Sequence, residues 1–216
     1  MNARHQAIET AGMLAPQLAD GDLLFTRLRN PFGRRIAEAS ASWTSHVGIA
    51  FRDPATGWRV AESRIPLSGY SPLAAFLARS EDCGVVVRRP RAPLLPEQLA
   101  ALRREAESRF GLWYDTGFKY DRPRRAFCSK FAYDVYREAL GIEIGRRERF
   151  RELLLRNPAP RLGFWRWWYY GSIPWNRVTV TPASQLESPL LVDVYDRRRD
   201  LGGPKKVEII SSQYSV

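Results

Sequence analysis

Three side chains in this 216-residue sequence have the types that acyl-transfer chemistry needs: Cys128, His46 and Glu62. Cys128 lies in AFCSKFAYDVYREALGI, at what reads as the first turn of a helix, just after Arg122, Arg124 and Arg125. Free N–H groups and the macrodipole at a helix start stabilise a thiolate. With an imidazolium beside it, such a thiol falls from about 8.5 into a range of about 3.5 to 7.5. The same N–H groups can hold an oxyanion. The competing reading is that a free cysteine is ordinarily a small buried hydrophobe, and Cys83, opening the apolar run CGVVV, keeps that reading.

His46 becomes interpretable through its hairpin. In SHVGIAF, Val47, Ile49 and Phe51 share one face of a predicted strand, and His46, Gly48 and Ala50 share the other. DPATG is a turn signal, and WRVAESR reads as the returning strand with Trp58, Val60 and Glu62 on one face. A turn centred near Pro54 sets His46 opposite Glu62. One centred on Ala55 makes them diagonal neighbours, about 7 to 8 Å apart. Either register lets the carboxylate reach the imidazole, giving a general base its orienting partner.

The remaining segments must position these groups. Residues 1 to 19 are helix-compatible, GDLLFTRL is a strand candidate, and RNPFGRRIAEASASW holds a loop or short helix. SPLAAFLAR reads as a short helix and CGVVVRRP as a strand. LLPEQLAALRREAESRF reads as an amphipathic helix with Pro96 in its first turn. The loop GLWYDTGFKYDRPRR precedes the cysteine helix, whose stripe Phe131, Ala132, Val135 and Ala139 carries Cys128 at its N-terminal end. Next come a charged segment read as helical from Gly145 to Arg156 and the tract RLGFWRWWYYGSIPW. NRVTVTPASQLESPLLVDVYD then holds a strand, a Thr-Pro helix start and a last strand. The tail beyond Arg199 reads as polar and frayed.

Composition narrows the function classes. With 44% hydrophobic residues the chain can fill the core of one domain. No apolar run nears the roughly 18 residues of a membrane span, and the first residues lack the apolar core of a signal peptide, so the cytoplasm is the default expectation. Export by a dedicated secretion machine would leave no such mark. Two cysteines and two histidines, His5 and His46, supply a closed metal site poorly, and no metal is expected. The net charge of +11 implies either attraction to phosphate-bearing partners or arginine-rich solvated faces.

Taken in order, GDLLFTR, SHVGIAF, WRVAES, YDTGF, FCSKFAYDVY and VTPASQLESPLLVDVYD resemble the YiiX/YebB-like family of circularly permuted NlpC-type papain-like hydrolases over about residues 20 to 196. Relatives of that family include lecithin:retinol acyltransferase and small phospholipase/acyltransferases. The resemblance implies an α+β fold, with an antiparallel sheet or half-barrel packed against the cysteine helix. It also accounts for histidine preceding cysteine. It implies Cys128 as nucleophile, His46 as general base, Glu62 as orienting residue, and a thioester intermediate with no cofactor. Tyr114 matches an aromatic position near the family's active site, where it is either an oxyanion or substrate contact or a packing residue. Ser129, next to the nucleophile, is a further substrate or oxyanion candidate.

Residues of about 145 to 175 match no part of the family pattern and read as an insertion bearing on substrate choice. Its Trp165, Trp167 and Trp168 either line a substrate groove or interface, or fill a core. The expected substrate is a peptide amide, as in an amidase or endopeptidase, or a lipid ester, with hydrolysis and acyl transfer both open. An anionic membrane surface is a candidate partner. The alternative class is a non-catalytic basic module binding anionic membrane or nucleic acid; arginines flank aromatics as in single-strand binders, but no nucleic-acid signature is found.

Overall fold

A computed structural model describes residues 3–157 and 161–198, and the polar tail lies outside the described residues. Helix α1 (Ala3–Leu14) and a short 3-10 turn (Ala15–Gln17) lead to strand β1 (Leu23–Leu28). Helix α2 (Pro31–Ala39) follows at once: Pro31 presets its first turn, and Asn30 Oδ1 accepts the Gly33 N–H at 2.7 Å. The hairpin of β2 (His46–Asp53) and β3 (Gly57–Glu62) turns on Asp53, whose Oδ1 accepts N–H groups of Ala55 and Thr56, with Gly57 at φ +82°.

After it come β4 (Gly69–Pro72), α3 (Leu73–Leu77), the long β5 (Ser80–Pro90) and α4 (Pro96–Ser108). The six-stranded antiparallel sheet runs β10-β5-β1-β2-β3-β4, with β10 (Leu191–Asp196) on one edge. It is open, since its two edge strands do not pair. Strand β4 and the parallel bridge of β6 (Trp113–Tyr114) with β7 (Arg125–Ala126) arise in segments without alternating patterning. Cys83 lies inside β5 rather than opening it; it and Asp82 hold positive φ, +53° and +48°, where the pairing with β1 shifts register.

Side-chain alternation divides the molecule into layers. On one face Leu23, Phe25, Val47, Ile49, Phe51 and Ala61 pack against α5 (Cys128–Leu140). On the other, Leu24, Ala50, Val60 and Val85 pack against α1 and α3. Helix α5 is more deeply set than its apolar stripe predicts, being buried on every side from Cys128 to Tyr136. That burial includes Lys130, whose ammonium is 2.6 Å from Asp134 one turn on. Gly141, at φ +68°, ends the helix.

The segment expected to be helical from Gly145 begins as strand β8 (Arg147–Arg149), paired with β9 (Val178–Val180), and becomes helical only in α6 (Phe150–Arg156). Helix α7 (Leu162–Trp168) carries three of the tryptophans. Thr181 caps α8 (Pro182–Leu186) by accepting the Ser184 N–H at 3.1 Å.

Candidate active site

The β2–β3 pairs Ile49–Ala61, Ala50–Val60 and Phe51–Arg59 centre the hairpin on Ala55, so that Glu62 falls opposite Gly48 and diagonal to His46. The diagonal is closed by the side chains: His46 Nε2 lies 2.6 Å from Glu62 Oε2, with both residues buried. The Glu62 carboxylate has further donors, with Ser71 Oγ at 2.6 Å and the Arg79 guanidinium both on Oε1. Burial alone would push this carboxyl up; the hydrogen bond and charge of His46, with Arg79 and Ser71, hold it down at about 2.

Gly48 gives the histidine its platform. A Cβ there would come within 2.4 Å of Val60 Cγ1 and 3.2 Å of the Phe76 ring, and Phe76 packs against the imidazole at 5.6 Å between centroids. By strand parity His46 and Glu62 therefore belong to the α1/α3 layer, while Cys128 packs among residues of the α5 layer. The two layers meet because His46 is the first residue of β2 and Cys128 the first of α5. At that end of the sheet the thiol reaches the Ser45 carbonyl at 3.9 Å and lies near enough to His46 for each to shift the other's pKa.

The pair is electrostatically matched. Burial disfavours charge on Cys128, but the His46 charge and hydrogen bond, with N–H groups of Val47 and Ser129, bring its pKa below the ordinary thiol value. The Val47 N–H is free for this role because β2–β3 pairing begins only at Ile49. Burial likewise opposes charge on His46, yet Cys128 and Glu62 raise it to about 9. Each group thus favours the charged form of the other, thiolate beside imidazolium, with a carboxylate behind the ring.

Tyr114 joins this group: it is buried beside Cys128, and burial followed by the Cys128 charge raises its pKa well above the ordinary phenol, so its hydroxyl stays neutral there. The Ser129 hydroxyl is spent elsewhere, donating to the Val180 carbonyl at 2.8 Å, so only its backbone N–H addresses Cys128. Among the described residues no group of three or more His, Cys, Asp or Glu side chains is arranged to hold a metal ion, and no helix is long and apolar enough to cross a membrane.

Cys128 opens onto a cavity of about 90 Å³ with walls that are almost wholly apolar. They include Ile36 of α2, Leu153 and Leu154 of α6, and Trp165, Tyr169 and Ile173. The three tryptophans separate here. Trp165 faces the cavity, whereas Trp168 donates to the Thr116 carbonyl at 3.0 Å and packs on Phe32, and Trp167 is 71% exposed. The aliphatic wall from α2 and α6 could not be assigned to a site from sequence, since Ile36, Leu153 and Leu154 carry no chemical signature.

A model of the permuted papain-like amidase enzymes, YaeF/YiiX, C92 family, matches residues 17–195. The uncharacterized protein YiiX of Escherichia coli strain K12 is 29% identical over 174 residues, 81% of this chain and 84% of that protein. The crystal structure of metalloprotein yiiX from Escherichia coli O157:H7 superposes with a TM-score of 0.76 at 29% identity, covering 83% of this chain and 98% of that one.

Proposed function

The chain belongs to the permuted papain-like amidase family, a thiol hydrolase type, and from that premise we propose that it cleaves amides of apolar acyl groups through Cys128, His46 and Glu62. One observation carries this reading: a buried thiol at a helix start lies within the electrostatic reach of a histidine whose Nε2 is 2.6 Å from a buried carboxylate. The Cys128 thiolate attacks the acyl carbon, and the carbonyl oxygen takes up the negative charge near the Tyr114 hydroxyl and the Val47 and Ser129 N–H groups. As the tetrahedral intermediate collapses, His46 gives its proton to the leaving nitrogen, and a thioester to Cys128 remains. A water then loses a proton to His46, attacks the thioester and releases the acid and the thiolate. Glu62 keeps the imidazole in one orientation throughout.

The cavity beside the sulfur favours an aliphatic or aromatic acyl chain over a charged peptide side chain. The crystal structure from Escherichia coli O157:H7 is described as that of a metalloprotein; here His46 Nε2 is taken up by Glu62, and among the described residues Cys128, His46 and Glu62 do not form a metal-ligand set, so no step is routed through a metal.

The test is iodoacetamide alkylation of Cys128 against pH in a Cys83→Ala background, followed by a panel of acyl amides of increasing chain length. Alkylation should persist well below the ordinary thiol range of about 8.5 and lose that low-pH component in His46→Ala. Turnover should rise with chain length and vanish in Cys128→Ala. An inert Cys128, or equal turnover of acetyl and long-chain amides, sinks the catalytic or the acyl-chain part respectively.

A further inference from the structure

The segment that walls the cavity also has an outer surface. Among the described residues the three most exposed large apolar side chains all fall in it: Leu155 at 84%, Trp167 at 71% and Tyr170 at 99%. Tyr170 also sits at φ +52°, in a turn that holds it away from the body of the protein. Trp167 and Tyr170 rim a groove whose walls carry Lys119, Arg122, Arg125 and Arg166. These four cations are weakly engaged: Lys119 is 3.8 Å from Asp121, Arg122 is 3.9 Å from Asp115, and Arg125 and Arg166 form no ion pair among the described residues. A fifth, Arg177, is tied to the Gly117 carbonyl at 2.7 Å. Asp115 is the groove's lone carboxylate, and it is buried, with Oδ1 accepting the Gly117 N–H. Tyr169 lines both this groove and the apolar cavity at Cys128.

We propose that this face docks the protein on an anionic lipid surface, with Trp167 and Tyr170 entering the headgroup layer and Arg122, Arg125, Arg166 and Lys119 meeting lipid phosphates. Amphipathic aromatics settle at the depth where one end is apolar and the other wet, and clustered cations beside them are drawn to an anionic leaflet. Neither group alone selects a membrane over another polyanion; together they match the headgroup layer, where an amphipathic aromatic and a lipid phosphate are met at the same depth. Docking there brings the rim of the acyl cavity to the bilayer surface.

The experiment is flotation with vesicles of phosphatidylcholine, with and without phosphatidylglycerol, using the Cys128→Ala protein so that binding is read apart from turnover. Binding should require phosphatidylglycerol. It should fall about tenfold or more in Trp167→Ala/Tyr170→Ala and again in Arg122→Glu/Arg166→Glu, and be little changed by the control Arg104→Glu on α4. Emission of the parent protein should shift to the blue on vesicles, and the shift should shrink in Trp167→Phe. Undiminished binding by the aromatic variant overturns the proposal. So does a Trp167- and Tyr170-dependent affinity for a single-stranded oligonucleotide that exceeds the affinity for vesicles at equal phosphate.

Discussion

At the residue scale the site depends on the order of its groups: carboxylate, imidazole, thiol. Replacing Glu62 by Gln keeps the shape and removes the charge that helps hold His46 near 9. Turnover should then fall by about 10²-fold or more. The alkaline fall in turnover, which in the parent follows loss of the imidazolium proton donor as pH rises through about 9, should move to lower pH. A merely structural role for Glu62 would lower the amount of folded protein but leave that profile in place. The pairing of His46 with Glu62 was legible in the sequence because strand parity and a strong turn signal leave two registers, both within reach. The contact of Cys128 with His46 was not, because it joins residues of two layers, and alternation along one strand carries no information about a helix 82 positions away.

At the element scale, Gly48 and helix α5 set the tolerances. Gly48→Val places a side chain where Val60 and Phe76 already stand. The variant should lose about 1 to 3 kcal/mol of stability in urea denaturation, and its Cys128 alkylation should shift toward ordinary thiol behaviour as Phe76 is displaced from the imidazole. A variant with parent stability and an unchanged profile would show that Gly48 is there for another reason. The main strands and helices were readable from alternation and from helix-start signals such as Pro96 and the Thr181-Pro182 pair, whereas α2, capped by Asn30, reads from sequence as either loop or short helix. Strand β8 was masked by the charges of Arg147, Glu148 and Arg149. It pairs because Val178–Val180 offers an edge, a tertiary fact with no local pattern. Likewise the apolar stripe of α5 announced one buried face. Burial of its other face follows from the Lys130–Asp134 pair, in which each charge neutralises the other, and a sequence pattern counts such residues as solvent-facing.

At the scale of the whole molecule, the buried carboxylate links stability to pH. Glu62 is depressed in the folded chain from 4.5 to about 2, so its contribution is complete above 4.5 and is lost as pH falls toward 2. The melting temperature of the parent should exceed that of Glu62→Gln by a constant amount between about pH 4.5 and 6.5, where Glu62 is ionised and His46 charged, and the gap should close on acidification. A gap that persists at pH 2 would assign the difference to packing. The layered arrangement of the site has a further consequence for how the protein is made. During synthesis the β2–β3 hairpin leaves the ribosome first, carrying His46 and Glu62, and Cys128 follows only after β5 and α4 have been made. Until α5 docks against the finished sheet, the cysteine is an ordinary thiol with no base beside it. Reactivity of Cys128 at low pH should therefore appear only once α5 has docked, so that alkylation at acid pH reports the joining of the two layers.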